Sequence, residues 1–154
     1  MADGKMADLR QSLGQLLANV YVLYYRMHST HWNVVGSNFP QYHSFLGDLY
    51  DEVFDSIDDI AEEIRKLEGF PPMELTTLLN MATIPKGSAM TYSDVMDMMA
   101  DIEEANSVIV SHLRDGIKIA DDADEPSTGN YLQDRLSAHL KIAWKLKSTL
   151  TYVV

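Results

Sequence analysis

The sequence predicts an all-α fold, a bundle of four long amphipathic helices, and three observations lead there. Apolar residues recur at three- and four-residue spacing through four separate segments. Gly, Pro and Asp or Asn clusters punctuate the chain between those segments. No stretch carries the apolar/polar alternation of a convincing strand.

The first segment places Leu9, Leu13, Leu16, Leu17, Val20, Leu23, Tyr24 and Met27 on one face, which predicts a helix from about Met6 to Asn33. Gly36, Ser37, Asn38 and Pro40 break it, and Pro40 suits the first turn of the next helix. That second helix has the cleanest stripe, Leu46, Leu49, Val53, Ile57, Ile60, Ile64 and Leu67, and stops at Gly69 before Pro71 and Pro72. The long connection to Met90 holds the cluster Leu75, Leu78, Leu79 and Met81, enough for a short helix across the bundle. A third long helix is expected from near Thr91, with Thr91 or Ser93 as N-cap, to about Ala120, carrying Val95, Met98, Ile102, Ile109, Leu113 and Ile117. After the acidic turn Asp121, Asp122, Asp124, Glu125, Pro126 comes a fourth, from about Ser127 to Leu150, with Leu132, Leu136, Leu140, Ala143, Leu146 and Leu150. The expectation is one domain over residues 1–154, with tails at 1–6 and 151–154.

Composition narrows the function. Acidic residues number 23 against 12 Lys plus Arg, a net charge of −11 that favours cations over phosphate backbones and anionic lipids. Without cysteine, thiolate metal sites and Cys nucleophiles are excluded, so any metal chemistry uses nitrogen and oxygen. The N-terminal stretch lacks the apolar core of a secretory signal and no run is long enough to span a bilayer, so the expected compartment is the cytoplasm, with no membrane partner. The nine Met residues, notably Met96, Met98 and Met99, read as core filler.

The residues that carry chemistry are His28, His31 and His43 around the first turn, then Asp58, Asp59, Glu62 and Glu63 late in the second helix. At about 100° per residue, His43, Asp58 and Glu62 fall in one sector that flanks the apolar stripe and points toward a neighbour. Asp58 and Glu62, four apart, can approach a single cation, and His31 can meet His43 across the turn. Fifteen residues separate His43 from Asp58, about 22 Å along a helix, so one chain cannot close the site. A twofold axis with antiparallel second helices brings the two halves together, twice per dimer. A di-iron centre inside one bundle needs Glu-x-x-His pairs, and none of the five histidines follows a Glu at that spacing.

These residues resemble the Dps family, ferritin-like proteins named for DNA protection during starvation. The matching block is His28-Ser-Thr-His31-Trp32-Asn33-Val34-x-Gly36, then Phe39, His43, Leu49-Tyr50-Asp51-Glu52 and Asp58-x-x-Ala61-Glu62, with a looser match through His139, Lys141 and Trp144. The resemblance implies a ferritin-like four-helix bundle with a short helix in the long crossover, assembled as a hollow dodecameric shell. It implies that His31, His43, Asp58 and Glu62 ligate iron in an inter-subunit ferroxidase site, with Zn or other divalent metals able to occupy it, and that Trp32 donates electrons to reactive oxygen intermediates. Many members carry a further Asp four residues after the second His, where this chain has Gly47. The resemblance also implies an acidic threefold pore near the start of the fourth helix. Asp121, Asp122, Asp124 and Glu125 are its candidates, although the family's common pore Asp aligns with Asn130.

The function expected is iron storage and detoxification: Fe(II) oxidised by hydrogen peroxide or dioxygen, with Fe(III) mineral kept inside the shell. The family name suggests DNA condensation as a rival, but Lys5 and Arg10 lie beside Asp3 and Asp8, and the C-terminus is not basic. A metal-buffering cage that has lost oxidation activity is a further alternative, kept open by Gly47.

Overall fold

The computed structural model describes residues 2–85 and 94–151. Its helices are α1 (Ala2–Asn33), α2 (Phe39–Lys66), α3 (Leu75–Asn80), α4 (Val95–Asp122) and α5 (Pro126–Leu150). The short turn after α1 makes α2 its antiparallel neighbour, α4 and α5 form a second hairpin, and the connection through α3 crosses between the pairs. α1 packs on both α2 and α4, and α3 lies on α1.

Two boundaries differ from the sequence expectation. Residues 2–6 are the start of α1 rather than a tail. Asp3 favours the positive end of the helix dipole, and Lys5 Nζ donates to the Asp122 carbonyl (2.8 Å), tying this turn to the end of α4. Thr91 and Ser93 lie outside the described residues. α4 is capped by Asp94, whose Oδ1 accepts from the Met96 amide at 2.8 Å.

α2 and α4 end in the same way. The Glu68 amide donates to Arg65 O and the Gly69 amide to Ile64 O, while the Asp124 amide donates to Asp121 O and the Glu125 amide to Ala120 O. Each is a Schellman turn with a non-glycine residue in the left-handed region, Glu68 at φ 61° and Asp124 at φ 58°. Gly69 therefore serves by close approach rather than by its own φ: a Cβ there would stand 2.9 Å from Ile64 Cγ2 and 3.2 Å from the Ile64 carbonyl.

The predicted stripes of α1 and α2 form the core, joined by Met98, Met99, Ile102, Ile109 and Leu113 of α4. In α5 the stripe is displaced. Leu140 is 41% exposed, whereas His139 and Ile142 are buried. His139 can enter the core because its polar atoms are all met. Its Nδ1–H donates to Asn106 Oδ1 (2.8 Å), Asn106 Nδ2 donates to the His139 carbonyl (3.0 Å), and Arg135 Nη2 donates to His139 Nε2 (3.3 Å). Arg135 in turn grips Glu52 of α2 with two hydrogen bonds, at 2.6 and 3.3 Å.

Burial, joined by the Arg135 charge, pushes the His139 imidazole from its ordinary 6.5 down to about 3. Between those values the unfolded chain takes up a proton that the folded chain refuses. Stability that is intact above pH 6.5 is thus lost as pH falls toward 3, by up to about 1.4 kcal/mol per pH unit from this group. Thermal melts across about pH 6 to 4 should show a steep fall in the midpoint. The slope should flatten in His139→Gln, which has no imidazole to titrate, and an unchanged slope would exonerate His139.

Candidate metal centre

α1 ends where α2 begins, so the last turn of one helix faces the first turn of the other, and this places His31 against His43. The rings stack with centroids 3.6 Å apart and planes 21° from parallel. Their hydrogen bonds are reciprocal: His31 Nδ1–H donates to the His43 carbonyl at 2.6 Å, and His43 Nδ1–H donates to the His31 carbonyl at 2.8 Å. A carbonyl can only accept, so both rings are held as Nδ1–H tautomers and both Nε2 lone pairs are left for a cation. A side chain at position 47 would point at this pair, since a Cβ on Gly47 would stand 3.5 Å from His31 Cε1 and 3.7 Å from His31 Nδ1. Its absence leaves that approach to the imidazoles open.

Aromatic rings enclose the inner side. Phe39 stacks on His43 at 4.8 Å, and Tyr50 meets His31 edge-on at 5.1 Å. His28 lies between Tyr50, stacked at 4.0 Å, and Trp32 at 4.2 Å, and shares a 2.9 Å hydrogen bond with the Tyr24 hydroxyl. Burial, and next the neighbouring His31, lower the His28 pKa. Trp32 is 56% exposed, and its ring stands nearly perpendicular to that of Tyr25, with centroids 6.1 Å apart.

The carboxylates occupy the other end of α2. Asp58, Asp59 and Glu62 are exposed, whereas Glu63, their neighbour in sequence, is buried. Glu63 accepts hydrogen bonds from Lys66 Nζ (2.6 Å) and Thr128 Oγ1 (3.1 Å), which occupy it inside the bundle. Among the described residues, no three His, Asp or Glu side chains converge to hold a metal ion. The histidine pair and the carboxylate pair are thus not brought together within one chain.

Exposed apolar side chains lie near both parts of the site along the sequence. Trp32, Val35 and Phe39 flank the histidines, while Phe70, Met73, Leu75 and Leu79 lie beyond the carboxylates, with Phe54 between. Exposed side chains of this kind are what a subunit interface covers. Of the expected acidic turn, Asp121 and Asp122 are the last residues of α4, which runs past Ala120, and Asp124 and Glu125 make the turn itself. Asp121, Asp122 and Asp124 are exposed and Glu125 is half-buried just before α5.

A family model for the ferritin-like domain matches residues 10–153. The chain is 32% identical over 139 residues to the DNA protection during starvation protein of Brevibacillus brevis, covering 90% of this chain and 91% of that protein. The chain belongs to the Dps family of ferritin-like proteins. The crystal structure of a Dps protein from Bacillus brevis has a TM-score of 0.89 at 28% identity, covering 96% of this chain and 98% of that one. A Dps protein from Vibrio cholerae O1, described as a member of a broad superfamily of ferritin-like diiron-carboxylate proteins, has a TM-score of 0.88 at 26% identity, covering 96% and 92%. The Dps fold thus extends over nearly the whole chain, short crossover helix included, and an iron-related miniferritin role follows at the level of the family.

Sequence reasoning named the two histidines without seeing how they are locked, because backbone carbonyls leave no trace in residue identity. It also left His28 outside the site. The helical spacing Tyr24, His28, Trp32, with His31 beside it, is the signal that could have included it.

Proposed function

We propose that this Dps protein is a ferroxidase and iron store whose reaction sites form between two subunits. The observation that carries this reading is the locked histidine pair, whose two Nε2 atoms are left as donors to a cation, with Asp58 and Glu62 exposed fifteen and more residues further along α2. In an antiparallel dimer, His31 and His43 of one subunit meet Asp58 and Glu62 of the other. Two imidazole nitrogens and two carboxylates suit Fe(II) as substrate, and would also take Zn(II), so selectivity rests on availability and on redox chemistry.

In this reading twelve subunits close a shell. Fe(II) is drawn in past Asp121, Asp122, Asp124 and Glu125, is oxidised at the interface by hydrogen peroxide or dioxygen, and accumulates inside as Fe(III) mineral. Trp32, beside the site and open to solvent, supplies electrons to reactive oxygen products. Strong DNA binding is not part of the proposal. Lys66, Lys118, Lys147 and Arg135 are engaged with Glu63, Asp115, Glu103 and Glu52, and the net charge is −11. Among the described residues no helix is long and apolar enough to cross a membrane, and we place the protein in the cytoplasm.

Stopped-flow mixing of Fe(II) shells with peroxide tests the assignment. The His31→Ala/Asp58→Ala double variant should oxidise Fe(II) at least about 100-fold more slowly than the parent. Oxidation as fast as the parent's would show the site to be elsewhere.

A further inference from the structure

We propose that Tyr24 and His28 form a proton-coupled electron donor to the site, which supplies an electron when only one Fe(II) is bound. The proposal rests on the ferroxidase reading above. Hydrogen peroxide needs two electrons to become water, and one Fe(II) gives one. Gly47 offers no ligating side chain on the turn after His43, and Asp48 follows one place on, so the case treated is a site that holds one Fe(II).

Tyr24 has what a tyrosine donor requires. Removing an electron from a phenol releases its proton, and the step is accessible only if a base takes that proton at once. Among the described residues the Tyr24 hydroxyl has one acceptor, His28 Nδ1 at 2.9 Å. The phenol can donate to this nitrogen when His28 is the Nε2–H tautomer, which turns its basic nitrogen toward the tyrosine. The electron path is equally short. The Tyr24 hydroxyl bonds to His28, His28 stacks on Tyr50 at 4.0 Å, and Tyr50 meets His31 at 5.1 Å. Tyr24 also packs directly on Tyr50, with centroids 6.3 Å apart. Trp32 is the contrasting case, since its indole N–H has no hydrogen-bond partner among the described residues and half of the side chain faces solvent.

The step balances as follows. Fe(II) becomes Fe(III) and Tyr24 becomes a neutral tyrosyl radical, each giving one electron. The tyrosine proton passes to His28 Nδ1, and peroxide takes both electrons with two protons from solvent to give two waters. Peroxide is thereby consumed without release of hydroxyl radical, and the oxidising equivalent left on Tyr24 is cleared by a later Fe(II).

The test uses assembled shells loaded with no more than one Fe(II) per subunit, mixed with hydrogen peroxide, freeze-quenched and measured by electron paramagnetic resonance, with Fe(III) formation followed by absorbance. The parent should give a neutral tyrosyl signal that narrows when tyrosine is ring-deuterated. The signal should be lost in Tyr24→Phe, which keeps the ring, and in His28→Gln, and kept in Tyr21→Phe. A tyrosyl signal of equal size in Tyr24→Phe, or an indole signal alone in the parent, would overturn the proposal while leaving the ferroxidase reading intact. Failure of the parent to oxidise Fe(II) would overturn both.

Discussion

Co-assembly of two inactive variants, His31→Ala and Asp58→Ala, is expected to restore about a quarter of the parent's sites. On the inter-subunit reading proposed above, each variant alone damages every site, because each site would take a histidine pair from one subunit and a carboxylate pair from the other. In a mixed dimer the two lesions fall in one site and leave the second untouched. Random pairing of equal amounts makes about half of the dimers mixed, with one sound site of two. Coexpression with two tags, isolation of doubly tagged shells and stopped-flow oxidation of Fe(II) would read this directly. A site held within one chain predicts no recovery at any mixing ratio, so the result separates the two architectures in a way that loss of activity cannot.

The second large effect is on stability and concerns the crossover. Asn19 is fully buried in α1, and its Oδ1 accepts from the Thr83 amide (2.8 Å) and the Ile84 amide (3.2 Å). Its Nδ2 donates to Thr83 Oγ1 (2.9 Å) and more distantly to His112 Nδ1 of α4 (3.4 Å). One side chain therefore fastens the end of the crossover to both hairpins. Asn19→Ala removes the acceptor of two backbone amides and opens a cavity, a loss of about 2–4 kcal/mol. At fixed protein concentration the thermal midpoint should drop by roughly 5–15 °C. A drop of only a degree or two would mean that α3 packing on α1, and not Asn19, holds the crossover.

How much of this could be read from the residues differs by element. α1 and α2 were legible because Leu9 to Met27 and Leu46 to Leu67 repeat with the helical period and join one apolar core. α5 was misread at Leu140 because the true core residue, His139, depends on Asn106, which is 33 positions away and invisible to local pattern. The start of α1 was placed late because the tether from Lys5 to Asp122 spans 117 positions. At the proposed site, spacing singled out His31, His43, Asp58 and Glu62 as candidates in two separate pairs, and among the described residues no three such side chains converge. The same spacing put Glu62 rather than Glu63 beside Asp58, and the structure shows Glu63 buried and hydrogen-bonded to Lys66 and Thr128.

The stretch of α2 between its imidazole end and its carboxylate end also bears on the life of a newly made subunit. On the inter-subunit reading, a solitary chain released from the ribosome would present two weak half-grips, neither able to retain Fe(II) nor to expose it to peroxide. Reactivity would arise only with pairing, so the hazardous chemistry waits until walls exist to contain its product.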